Sequence, residues 1–112
     1  MNRFLFLPIL GGILLGMPHP VIAAEQTTYT IVIKDHRFVP AEQHVPAGQK
    51  LRLVIDNQDP TPEEFESYDL DREKVVSGNS QIIVFIGPLK AGAYSYFGDF
   101  SPETAQGTII AE

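Results

Sequence analysis

From Thr27 onward, apolar and polar residues alternate in short runs, and no run repeats at helical spacing. The stretch 27–34 (TTYTIVIK) alternates and is rich in β-branched side chains, the signature of a half-buried strand. The same pattern predicts strands at Phe38-Val39-Pro40, Gln43-His44-Val45, Leu51–Ile55, Ser80–Ile86, Gly92–Phe97 and Gly107–Ala111. Turn signals separate them: Pro46-Ala47-Gly48-Gln49, Asp56-Asn57 and Gly87-Pro88. Residues 102–106 have room for one short turn and nothing longer. Short strands between Pro/Gly turns predict an all-β sandwich. No repeat, low-complexity tract or linker divides it, so one domain is expected.

The first residues follow another pattern. Arg3 precedes an apolar stretch from Phe4 to Leu15, and Ala23-Ala24 supply small residues for cleavage, as in a secretory signal peptide. Pro8, Gly11, Gly12, Gly16, Pro18 and Pro20 interrupt the stretch and make it a poor permanent span. The expected organisation is a signal peptide over 1–24 and one domain over 25–112, periplasmic and not membrane-spanning after cleavage.

Charge and composition then narrow the chemistry. The expected domain loses Arg3 alone among its charged residues, leaving 7 basic against 14 acidic residues, a net −7. That balance repels nucleic acid and anionic lipid and concentrates cations. The chain has no cysteine, which excludes disulfides, thiol redox chemistry and a lipid-anchored cysteine. Met1 and Met17 both fall within the expected leader, so the domain offers no thioether ligand. No G-x-S-x-G, H-E-x-x-H, Walker loop or Cys/His zinc spacing is present, and no catalytic residue is assigned.

The acids are not spread evenly. Residues 56–73 hold Asp56, Asp59, Glu63, Glu64, Glu66, Asp69, Asp71 and Glu73 against Arg72 alone. Carboxylates gathered at one place raise one another's pKa values unless a cation or a buried partner is present. Carboxylate oxygen with imidazole suits iron, manganese or zinc, whereas Cu(I) needs softer donors. The plainer reading is an acidic surface strand and loop that aids solubility; it fits Asp69, Asp71 and Glu73, which interleave with Arg72 and Lys74. His36, in the charged turn Lys34-Asp35-His36-Arg37, is the best imidazole candidate, with an exposed turn histidine as the alternative. His44 reads as a surface residue, and His19 lies in the leader. Tyr94 and Tyr96 share a strand face and are expected to pack. Phe38, Phe65, Phe85 and Phe97 are expected in the core.

Two segments carry a family resemblance. The segment 37–60 (RFVPAEQHVPAGQKLRLVIDNQDP) resembles the first half of a cupredoxin, and 91–112 (AGAYSYFGDFSPETAQGTIIAE) resembles the second. The resemblance implies a cupredoxin-like Greek-key β-sandwich. In copper-binding cupredoxins the first His ligand follows the strand-end Asn by about six residues, alongside a Cys thiolate, a second His and a weak axial ligand. Counted from Asn57, Glu63 takes that His place, and Gly98 takes the Cys place two residues beyond Tyr96. The resemblance therefore comes without a type 1 copper site.

A narrower likeness runs through EEFES at 63–67, KDHRF at 34–38, GPLKAG at 87–92 and DFSPETAQG at 99–107. These strings are similar to the cysteine-free cupredoxin-like proteins of bacterial ferrous-iron permease systems, and to the cupredoxin module of certain periplasmic iron-uptake proteins. This likeness implies an iron or copper ion bound by His36, Glu63, Glu66 and Asp99 near the metal pole. It also implies an iron permease, or another periplasmic or inner-membrane uptake component, as partner. The implied role is to assist Fe(II) oxidation or delivery rather than to act as a stand-alone enzyme. Ser101 follows Phe100 where such relatives carry His. Two alternatives stand beside this reading: a metal-free module that docks a partner through its acidic face, and an electron-transfer protein with an atypical carboxylate/His copper site.

Overall fold

The structure is a computed structural model, and it describes residues 26–112 together with Gly16. The expected signal peptide over 1–24, Gly16 apart, lies outside the described residues. Nine strands follow in order: β1 (Thr27–Lys34), β2 (Arg37–Val39), β3 (Glu42–Val45), β4 (Leu51–Asn57), β5 (Glu63–Ser67), β6 (Arg72–Val76), β7 (Ser80–Ile86), β8 (Gly92–Gly98) and β9 (Gln106–Ala111). There is no helix among the described residues; Ala105 N–H bonds to the Ser101 carbonyl at 2.8 Å, closing the one short turn expected near 102–106.

The strands form two mixed sheets, ordered β2-β1-β4-β7 and β3-β9-β8-β5-β6. β1 runs parallel to β4 and β3 parallel to β9, while the other pairings are antiparallel. Period-two alternation sends one face of each sheet inward. β4 shows it plainly, with Leu51, Leu53 and Ile55 at 0% exposure and their neighbours half-buried. Ile31, Ile33, Val84 and Ile86 from the first sheet meet Phe65, Val76, Tyr96 and Ile109 from the second in one core. At its centre the Phe38 and Tyr96 rings stand edge to face at 4.9 Å, with Phe65 5.1 Å from Tyr96. Such pairs add about 0.5–1.5 kcal/mol each beyond the area they bury.

The same alternation corrects two sequence expectations. Phe85 is 51% exposed, because Val84 and Ile86 take the inward positions of β7. Its ring lies on the outer face under the Arg52 guanidinium, 5.6 Å away. Phe97 also points outward, since Tyr96 and Gly98 are the buried residues of β8, and it packs on exposed Tyr68 at 5.5 Å. The acidic run, read from sequence as a strand and loop, holds two strands, and β6 is the outer edge of its sheet. Arg72 Nε donates to the Phe85 carbonyl at 2.8 Å and Lys74 Nζ to the Ile83 carbonyl at 3.2 Å. These basic residues close the seam between β6 and β7, both edge strands, whose unpaired carbonyls would otherwise invite another chain.

Candidate metal centre

One end of the sandwich is organised by two buried polar side chains. Asn57, 1% exposed at the end of β4, donates to the carbonyls of Thr61 at 2.8 Å and Ser77 at 3.2 Å. Its Oδ1 accepts the Asp59 N–H at 3.0 Å. Asp59 in turn grips the β1–β2 turn, its Oδ1 accepting Asp35 N–H at 2.8 Å and its Oδ2 accepting His36 N–H at 2.9 Å. Both turn residues are left-handed, with φ of 51° at Asp35 and 56° at His36. L-residues adopt that region at a cost of roughly 1–2 kcal/mol each, which the two carboxylate hydrogen bonds offset. His36 is thereby presented at the rim, its ring half exposed and its Nδ1 3.3 Å from Ser101 Oγ.

β5 enters from this organised loop. Its burial alternates without a break: Glu63, Phe65 and Ser67 face inward, Glu64 and Glu66 outward. Glu63 is 2% exposed. Its Oε1 accepts two backbone N–H groups, from Glu64 at 3.0 Å and from Phe100 at 2.8 Å, and its buried Oε2 has no partner. Gly98 makes room for this carboxylate: a Cβ there would lie 2.6 Å from Glu63 Cδ and 2.7 Å from Ala105 Cβ.

On the outer face the acids converge. Carboxylate oxygens of Glu64, Glu66 and Asp99 all lie within 4.8 Å of one another. Asp99 reaches them because its N–H bonds the Glu64 carbonyl at 2.9 Å, just past the β5–β8 pairing of Phe65 with Gly98. Glu73 stands opposite Glu66 in the β5–β6 register. Partial burial of Glu64, then its hydrogen bond to Glu66 and the charges of Glu73 and Asp99, push the Glu64 carboxyl up to about 7. A proton relieves this crowding below that value, and a cation between the carboxylates would relieve it above.

The four residues expected to share an ion are thus divided. Glu66 and Asp99 come together, joined by Glu64, which the sequence reading did not single out. Glu63 lies on the opposite face of β5 from Glu66, so one ion does not take both. His36 borders Ser101, two residues beyond Asp99. The signal for Glu64 was present: with Phe65 inward, period two sends 64 and 66 outward together. Other members of the acidic run have separate tasks. Asp69 Oδ2 accepts from Ser95 N–H at 2.8 Å and Ser95 Oγ at 3.0 Å, and the backbone bond foremost holds the Asp69 carboxyl below its usual range. Away from this end, exposed His44 sits between Glu42 at 2.9 Å and Glu112 at 2.8 Å.

The profile of the Cupredoxin-like domain family matches residues 7–111. The chain belongs to this family. An uncharacterised protein of Rickettsia prowazekii (strain Madrid E) is 55% identical over 80 residues, which cover 71% of this chain and 64% of that protein. Auracyanin A, a blue copper protein of Chloroflexus aurantiacus, is similar at a TM-score of 0.67 and 16% identity over 78% of this chain and 99% of that one. The Cu(I)-bound metal-binding domain of the Cu(I)-exporting P-type ATPase CopA of Streptococcus pneumoniae D39 gives 0.68 and 10% over 76% and 84%. The purple cupredoxin of Nitrosopumilus maritimus gives 0.58 and 16% over 74% and 98%. At these identities the structures share the cupredoxin fold.

The fold is that of copper proteins, but the donor set is not a type 1 set. The chain has no thiolate, and Glu63 fills the space beside Gly98 where a side chain at position 98 would begin. The outer carboxylates offer only hard oxygen donors. A six-coordinate hard ion holds oxygens at about 2.1 Å, so opposite ligands stand about 4.2 Å apart. The oxygens of Glu64, Glu66 and Asp99, within 4.8 Å of one another, stand slightly wider than that.

Proposed function

We propose that this cupredoxin-like protein is a periplasmic accessory of iron uptake that takes an iron ion as cargo on Glu64, Glu66 and Asp99 and passes it to a membrane permease. The observation that supports it is the convergence of three carboxylates within 4.8 Å beside β5, in a chain with no soft ligand. An open face of weak oxygen ligands suits transfer, because each carboxylate releases a hard ion singly. His36, fixed by Asp59 at the neighbouring rim, is the nearby imidazole in this reading and adds a donor as the ion arrives or leaves. Assistance to Fe(II) oxidation by a partner protein that accepts the electron fits the same ligand set, since anionic oxygens favour the ferric over the ferrous charge.

Calorimetric titration of the purified protein with Fe(II) under argon, Zn(II) and Cu(II) tests the reading. The expected result is binding of Fe(II) with micromolar or tighter affinity, weakened by Glu66→Gln and Asp99→Asn. The His36→Ala variant separates a three-carboxylate site from one that includes imidazole. Loss of no affinity in either carboxylate variant sinks the site. A metal-free docking role is the second reading, favoured by Tyr68 at 79% exposure packed on Phe97 beside Glu66. It predicts that Tyr68→Ala abolishes capture of the permease while metal titrations stay flat.

A further inference from the structure

We propose that Glu63 is the positioning residue of the outer carboxylate face: its buried side chain ties β5 to the segment 98–101 and so sets Asp99 against Glu64 and Glu66. The proposal rests on the reading of that face as a cation site. Three observations carry it. Glu63 Oε1 accepts N–H groups from both sides of the junction, Glu64 on β5 and Phe100 just after Asp99. Those two amides flank the ligand carboxylates in sequence, so one oxygen fixes the backbone beneath both. Asp99 N–H to the Glu64 carbonyl is the third bond of the same junction. It and the Phe100 bond cross between the segments and bring residue 99 against residue 64, while the Glu64 bond sets the carboxylate on its own strand.

The second observation is steric. Gly98 has no side chain, and a Cβ there would stand 2.9 Å from Glu63 Oε1 and closer still to Cδ. The pocket beneath the 98–101 segment is therefore shaped around this carboxylate. The third observation is that Glu63 itself faces away from the outer acids, so its effect on them passes through the backbone. Its unpartnered Oε2 also shows that a carboxylate is retained in the core where an apolar group would be easier to bury.

The test uses Mn(II) as a redox-stable probe of the outer face. Glu63→Gln keeps an acceptor oxygen and is expected to bind close to wild type. Glu63→Met keeps the volume, lacks a comparable acceptor, and is expected to bind roughly 10- to 100-fold more weakly, as supporting residues around metal ligands do. Gly98→Ala displaces the carboxylate with every acid intact and is expected to follow Glu63→Met. Amide exchange at Phe100 in the wild type adds a readout that needs no variant: protection like that of core strands supports the tie. Exchange at the rate of an open loop overturns it. Folded Glu63→Met or Gly98→Ala protein that binds Mn(II) like wild type overturns it as well, even if the melting temperature falls. Wild-type protein that binds no Mn(II) overturns the cation reading, and the positioning role with it.

Discussion

The two faces of β5 are one residue apart in sequence and opposite in chemistry. Inward, Glu63, Phe65 and Ser67 are each no more than 2% exposed, and every one of them is anchored: Glu63 to backbone amides, Phe65 to aromatic rings, Ser67 to the Ser95 carbonyl at 2.7 Å. Outward, Glu64 and Glu66 face Asp99 and Glu73, and among the described residues no basic side chain is ion-paired with any of these four acids. An inner carboxylate can hold a fold together because amide N–H groups meet it. Like charges meeting on the outer face raise the energy of the folded state until a proton or a cation arrives. The acidic run 56–73 is therefore several devices: a turn clamp at Asp59, a loop tie at Glu63, a strand clamp at Asp69 and an open cation-attracting face.

The largest effect that would sharpen this contrast comes from the middle of the strand. Phe65→Ala removes a 0% exposed ring that touches both Phe38 and Tyr96, and about 3–5 kcal/mol of stability should go with it. Glu66→Gln, the next residue but on the other face, should leave stability unchanged or raise it. Urea denaturation of the two variants reads the difference directly. Equal losses would mean that the outer acids are structural after all.

A smaller loss should follow at the base of the candidate site. Asn57→Ala leaves two carbonyls and the Asp59 N–H short of a partner in a buried place, a loss of about 2–3 kcal/mol. Because Asp59 holds the left-handed turn, the same change should also free His36 from Ser101, seen as averaging of its ring signals in NMR spectra. A stable Asn57→Ala protein with an unmoved His36 would show that the inner polar layer does not organise the rim.

Much of the frame was legible in the sequence. β1 and β7 match the predicted runs at both ends, because each alternates with β-branched residues and stops at a turn signal. β5 and β6 were blurred into one acidic stretch, since EEFES and REKVV show few apolar positions; the inward positions of β5 hold Glu63 and Ser67 beside Phe65, and hydrophobic patterning cannot show that a carboxylate is buried. Phe85 and Phe97 went astray for the complementary reason. An aromatic residue reads as core, yet its strand position decides its face, and both occupy outward positions. The candidate site follows the same logic. Residue type points to Glu63, Glu66 and Asp99 alike, whereas the strand period separates Glu63 from Glu66 and brings Glu64 to the face of Glu66 and Asp99.

The smallest expected effect concerns the outer face alone, and its sign is fixed. The Glu64 carboxyl is raised in the folded protein from its ordinary 4.5 to about 7, by partial burial first and then by Glu66, Glu73 and Asp99. Between those values the folded state binds more protons than the unfolded one, so stability falls as pH rises through the window and levels off above it. Glu64→Gln removes the titrating group and should flatten this dependence in thermal melts from pH 4.5 to 8 at low salt. A divalent cation should do the same in the wild type, because it replaces the proton between the carboxylates. Its affinity should then climb as pH rises toward and past 7, opposite in direction to the stability of the cation-free protein. Melts that slope identically with and without Glu64 would remove the outer acids as a coupled group and leave β5 with two faces that differ only in burial.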